Sequence, residues 1–187
     1  MSRAFEQFLY HGTIFRIDRI DVGCGRRRKD FGRGFYMAFR PDQAIGMMHK
    51  KHREAERRSR NHELPDLREY LYRIRLNPTV EERLAVKVFE TADMEWLEFI
   101  LSCRESAEER AHSYDIIVGP TADDDTLLSL QNYWKGLYGP VGQPVAKAAL
   151  LSALEPENLG IQCCLCTDKA VEEAVADFTM VDWRIFV

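Results

Sequence analysis

Phe8-Leu9-Tyr10-His11-Gly12-Thr13 and, beyond a charged loop, Phe31-Gly32-Arg33-Gly34-Phe35-Tyr36-Met37-Ala38 are the stretches on which the reading of the chain turns. The first is a short apolar run that stops at a glycine, as a buried strand does where it opens into a loop. The second begins on flexible backbone at Gly32 and Gly34 and becomes an apolar strand. Between them, Gly23-Cys24-Gly25-Arg26-Arg27-Arg28-Lys29 concentrates turn formers and charge, which predicts a solvated loop. Gly23-x-Gly25 is not a dinucleotide fingerprint, because the third glycine and the helix it should open are missing.

Working outward, Pro41 and Asp42 suit a helix start, with Gln43 to Met48 as its first turns. The Lys-, Arg- and His-rich run from His49 to Arg60 continues it as an exposed helix, which Pro65 must end. Tyr70 to Leu76 alternates, placing Tyr70, Tyr72, Ile74 and Leu76 on one face and Arg73 and Arg75 on the other, the pattern of a half-buried strand. Leu84 to Phe89 reads as a short strand. Asp93 caps a helix that carries Met94, Trp96, Leu97, Ile100 and Leu101 at helical spacing. Tyr114 to Pro120 is a strand stopped by Gly119-Pro120, and the turn Asp123-Asp124-Asp125 leads into a helix with Leu127, Leu130, Trp134 and Leu137. Val145 to Leu154 is a further helix, Ile161 to Cys166 a buried strand, and Thr167 caps a helix from Asp168 to Val175. Phe178 to Val187 is expected to close the sheet. Without a regular βα repeat, this order argues against a doubly wound parallel sheet.

A length of 187 residues suits one domain with one buried core. Hydrophobic residues at 45% and charged residues at 30% exclude a disordered chain. A net charge of −4 supplies no global field toward nucleic acid or an acidic membrane, so such binding needs a local patch. The run Lys50 to Arg60 is one, able to approach RNA, DNA or an acidic protein. The five cysteines are an odd number, and Cys163, Cys164 and Cys166 do not have the spacing of a secreted disulfide framework. No stretch approaches the roughly 20 apolar residues of a membrane span, and Met1 to Gln7 carries no apolar leader segment. The expectation is a soluble cytoplasmic protein with no membrane partner.

Tyr10-His11-Gly12-Thr13 together with Phe31 to Ala38 resembles the ADP-ribosyltransferase superfamily, in the branch of diphtheria toxin and the poly(ADP-ribose) polymerases. Tyr114 to Asp124 and Ile161 to Ala170 are similar to the remaining signature blocks of DUF3990, a bacterial family of unknown function placed in that superfamily; residues 49 to 69 are the least family-like. The resemblance implies a single α+β domain over 1–187, with a split β-sheet fold: two small sheets splayed around an NAD cleft and helices on their flanks. It implies an enzyme that takes NAD as substrate and transfers one ADP-ribose unit to a macromolecular acceptor, protein or nucleic acid. A toxin setting with a small antitoxin protein as partner is implied in the same way.

By the same resemblance, His11 holds a ribose hydroxyl, the Gly12 backbone pairs with the nicotinamide carboxamide, and Tyr36 stacks on the nicotinamide ring. Tyr10, Thr13, Gly34 and Phe35 belong to the same binding segments. Gln162 stands where the family has a catalytic glutamate; it can make the hydrogen bond, but it carries no charge and cannot act as a base. Met47 stands where an aromatic often closes the nicotinamide slot. Cleaving the nicotinamide bond builds positive charge on a ribosyl oxocarbenium ion, so the site must chiefly grip, orient and stabilise.

Other readings stand beside these. Gln162 favours a catalytically silent module that binds NAD or ADP-ribose and acts through a partner, and hydrolysis of NAD without an acceptor is a further alternative. Asp123 or Asp124 could supply the missing carboxylate, or simply cap the helix that follows. Cys163, Cys164 and Cys166 read as buried thiols rather than zinc ligands, since alternate strand residues face opposite ways. His49 and His52 could share a metal, but the surrounding cations favour a solvated face.

Overall fold

A computed structural model describes residues 5–58, 67–121, 124–154 and 159–187. Its strands are β1 Leu9–Thr13, β2 Phe35–Ala38, β3 Tyr70–Leu76, β4 Val86–Val88, β5 Ile116–Pro120, β6 Ile161–Leu165 and β7 Val175–Val181. Its helices are α1 Pro41–Arg58, α2 Met94–Glu105, α3 Asp124–Trp134, α4 Pro144–Ala153 and α5 Asp168–Ala174. The expected caps are in place: the Asp93 carboxylate accepts the Trp96 N–H at 3.0 Å, and the Thr167 hydroxyl accepts the Ala170 N–H at 3.0 Å.

The strands form one mixed sheet in the order β4-β5-β6-β2-β1-β3-β7, parallel only between β4 and β5. Both faces are covered. The pairs Tyr10↔Ala38, Tyr36↔Cys164 and Ile117↔Cys164 put these residues on one face. There α1 buries Ala44, Ile45 and Met48 against Ala38 and Leu71, while α2, α3 and α4 bury Trp96, Leu97, Ile100, Leu130 and Leu150 against Ile117 and Cys164. The other face packs Leu9, Phe35, Met37, Ile116, Val118, Cys163 and Leu165 under Ala170 and Ala174 of α5 and under Phe5, Ile20 and Val22. Each large side chain so enclosed stabilises the fold by roughly 1.5–3 kcal/mol.

Three expectations need correcting. The sheet is one sheet of seven strands and not two separate ones. β3 alternates as expected, with Tyr72, Ile74 and Leu76 buried and Arg75 exposed, and at its start α1 also covers Leu71 on the other face. The C-terminal strand ends at Val181, and Trp183–Phe186 forms a 3-10 turn that folds back so that Phe186 meets Tyr10 and Trp183 meets His49. Leu137 lies past the end of α3 and is exposed. No described helix is long and apolar enough to cross a membrane. Pro65, Asp123 and the side chain of Asp124 lie outside the described residues.

Candidate functional site

The weakest seam of the sheet falls between β1 and β2. They share a single residue pair, Tyr10↔Ala38, whereas β1 and β3 are in register from Leu9↔Ile74 to Thr13↔Tyr70. Past that pair the strands part, and the His11 side chain spans the gap: Nδ1 lies 2.6 Å from the Tyr36 carbonyl oxygen. A carbonyl only accepts, so Nδ1 carries the proton and Nε2 the lone pair. Burial pulls the His11 pKa down to about 3, helped by the Lys51 and Lys29 charges and opposed by the Tyr36 carbonyl bond. The imidazole is neutral, and its ring stacks on Phe35 with centroids 4.3 Å apart.

Tyr36 offers a ring rather than a hydroxyl. Its O–H donates to the Gly32 carbonyl at 2.7 Å and accepts the Phe31 N–H at 3.0 Å, which ties the preceding loop to the strand. Burial raises its pKa well above the usual phenol value, so it is no proton donor or base near neutrality. Lys29 reaches back from the same loop and lies over this ring, its Nζ 4.6 Å from the centroid. The loop is solvated as expected, and exposed Lys29 still places its ammonium over this ring.

A second lysine arrives from α1. Lys51 Nζ donates to the Gly12 carbonyl at 3.0 Å, and burial, then repulsion from Lys29, lowers its pKa to about 8. Burial likewise lowers Lys29. Residues four apart stack on one helical stripe, so Gln43, Met47 and Lys51 share an edge of α1. Gln43 donates to the Thr121 hydroxyl at 3.1 Å, and Met47 is 46% exposed between these two anchors.

Gln162 is buried, and its amide N–H donates to Asp30 Oδ2 at 2.9 Å. Asp30 Oδ1 takes the Arg104 guanidinium, with Nε at 3.1 Å and Nη2 also bonded. A carboxylate thus stands directly behind the neutral amide. It comes from the loop before β2.

The other candidate residues divide. Tyr10 packs against Phe186 in the core beneath α1, Phe35 belongs to the opposite core, and the Thr13 hydroxyl accepts the Phe15 N–H at 3.2 Å at the strand end. A Cβ on Gly12 would run into the Ala44 carbonyl of α1, so close helix approach dictates that glycine; one on Gly34 would strike Cys164 Sγ. Lys29, Asp30, Lys51 and Arg104 escaped the sequence reading, because each lies in a stretch whose composition looks solvated. Two surface hollows, of about 330 and 590 Å³, lie elsewhere and include neither His11 nor Tyr36. At the seam between β1 and β2, Lys51 bonds the Gly12 carbonyl and Lys29 lies over the Tyr36 ring.

The class these features define is a mixed α+β protein in which an imidazole, an aromatic ring and two lysines gather where strands of a seven-stranded sheet part. Residues 8–175 match the family model described as Protein of unknown function (DUF3990), and the chain belongs to DUF3990. No curated protein and no solved structure matches it.

Proposed function

We propose that the protein is an NAD-dependent mono-ADP-ribosyltransferase acting on a macromolecular acceptor, with the seam between β1 and β2 as its NAD cleft. One observation carries the reading: a neutral imidazole, an aromatic face and two lysine ammoniums converge where the sheet parts. Each has a use. The Nε2 lone pair of His11 accepts from a ribose hydroxyl, and the face of Tyr36 receives the nicotinamide ring once Lys29 swings aside. Lys29 and Lys51 meet the pyrophosphate, which relieves their mutual repulsion. The negative charge that Gln162 lacks is supplied one bond away by Asp30, so the Gln162 carbonyl is oriented by its amide's bond to a carboxylate while accepting from the ribose. The resemblance of the His11 and Tyr36 segments to ADP-ribosyltransferases supports this chemistry, the split-sheet fold family, and a bacterial toxin role with a small antitoxin partner.

The test is release of nicotinamide from NAD by the purified full chain. His11→Ala and Tyr36→Ala are each expected to lower it by at least about a hundredfold. Release that neither substitution changes would remove the cleft from the reaction. Lys29 over the Tyr36 ring favours a second reading, a silent module that holds ADP-ribose-like ligands: wild-type protein that binds NAD by calorimetry yet releases no nicotinamide would support it. Mass spectrometry of candidate acceptors separates transfer from hydrolysis.

A further inference from the structure

We propose that Cys164 and Cys166 form a hydroperoxide-reactive dithiol, with Cys166 the attacking thiolate and Cys164 the resolving thiol, approached through a hollow that includes neither His11 nor Tyr36. The two stand at and just beyond the end of β6, on one face: both pack with the α2–α4 layer, while Cys163 between β-strand neighbours turns to the opposite core. Their Sγ atoms are 3.5 Å apart, and the Cys166 thiol reaches the Cys164 carbonyl at 3.6 Å. Cys164 is fully buried, whereas Cys166 is half-buried and opens into the hollow of about 330 Å³ that Arg33, Arg110, His112 and Thr167 also line. Arg33 Nε is buried there without a hydrogen-bond partner.

Electrostatics sorts the five thiols. Burial pushes Cys163 and Cys164 up, and Cys103 up to about 12, while the neighbouring Asp21 raises exposed Cys24. Cys166 alone is lowered, to about 6, by its hydrogen bond with Cys164 and, against its burial, by His112 and Arg110. It is the one thiol with both nucleophilic character and an open approach.

The chemistry balances. The Cys166 thiolate attacks the terminal oxygen of a hydroperoxide; the S–O bond forms, the O–O bond breaks, and an alkoxide or hydroxide leaves to take a proton from water. Sulfur has then been oxidised to sulfenic acid. The Cys164 thiol attacks that sulfur, the S–S bond forms, and water departs with the Cys164 proton. Two strand residues apart, the Cα atoms are about 6.6 Å distant, just inside the reach of a disulfide, up to about 6.8 Å. Cys166 lies past the last residue of β6, where the chain is free to pinch.

The experiment treats reduced full-length protein with hydrogen peroxide at pH 7, alkylates it under denaturing conditions, and maps the cysteines by mass spectrometry. The expected product has Cys163 alkylated and Cys164 linked to Cys166, formed before Cys24 reacts. Cys164→Ser should stop at a sulfenic acid on Cys166 that dimedone traps, and Cys166→Ser should lose both products. Oxidation of Cys24 first, with Cys164 and Cys166 still alkylated, overturns the proposal, as does a link that persists in Cys166→Ser. Should the variants not fold, the pH profile of Cys166 alkylation in the wild type decides: half-maximal rate near pH 6 supports it, and near the ordinary thiol value of about 8.5 overturns it. NAD plays no part in these readouts, so their failure leaves the proposed transferase untouched.

Discussion

Helix α1 carries basic side chains on two edges, and the edges are built on opposite principles. On the outer edge, His49 and His52 both direct Nδ1 to the same Glu69 oxygen, at 2.8 and 2.9 Å, and His49 meets the Trp183 ring edge-on. Burial alone would raise the Glu69 pKa, yet the two histidines more than offset it and hold the carboxylate below its usual range. Charge there is balanced within the fold and clamps α1 to the start of β3. On the inner edge, Lys51 meets a backbone carbonyl and is repelled by Lys29 across the cleft. The difference teaches how to separate structural charge from binding charge: the first has its counter-charge inside the protein, while the second gains by an anion arriving from outside.

The sharpest way to break this contrast is to remove both inner cations. Lys29→Met with Lys51→Met should weaken NAD binding by at least about a hundredfold, since charged hydrogen bonds each contribute about 1.5–3 kcal/mol. The same double variant should melt at a higher temperature than the wild type, because burial disfavours both ammoniums and Lys29 repels Lys51 in the free protein. Calorimetry and a thermal melt read the two effects. A double variant that binds NAD normally would show that the lysines merely fill the cleft.

Much of this architecture could be read from residues alone, and the unread part has a common cause. Asp93 and Thr167 announce their helices because a cap acts on N–H groups two or three residues away, and the strand ends at Gly12 and Gly119-Pro120 are equally local signals. His11 and Tyr36 do fall on neighbouring strands, which the spacing of the two segments allowed but did not dictate. The burial of Leu71 depends on where α1 lands, and the bond from Gln162 to Asp30 joins residues 132 positions apart. Lys29 and Lys51 sit among arginines and lysines of similar character, so nothing local marks the two whose ammoniums reach Tyr36 and Gly12. Local patterns specify elements; the seam and its charges arise from long-range register.

The outer edge answers to a smaller change. Glu69→Gln keeps the shape and removes the charge, and should cost about 1–2 kcal/mol of stability while leaving NAD affinity unaltered. The sign with pH follows from the depressed carboxylate: its contribution is complete above the unfolded value of 4.5 and is lost as pH falls through the lower folded value. Acid unfolding, followed by Trp183 fluorescence beside His49, should therefore begin at higher pH in the variant. If NAD affinity fell with it, the two edges would not be independent.

Lys51 sets the smallest and most diagnostic effect, because its pH dependence runs the other way. Its folded pKa of about 8 lies below the ordinary lysine value of 10.5, so between those values the unfolded chain binds the extra proton and stability rises with pH. Ligand binding has the opposite slope: the free protein loses the ammonium as pH passes about 8, and an anion must then recruit a proton to bind. NAD affinity should fall by up to about tenfold between pH 7 and pH 9. One group thus makes the free protein more stable and the complex weaker over the same interval. Lys51→Met should flatten both curves, whereas Glu69→Gln should flatten neither. Affinity independent of pH across that interval, with stability still rising, would mean that the ammonium is strained in the free protein without touching the ligand.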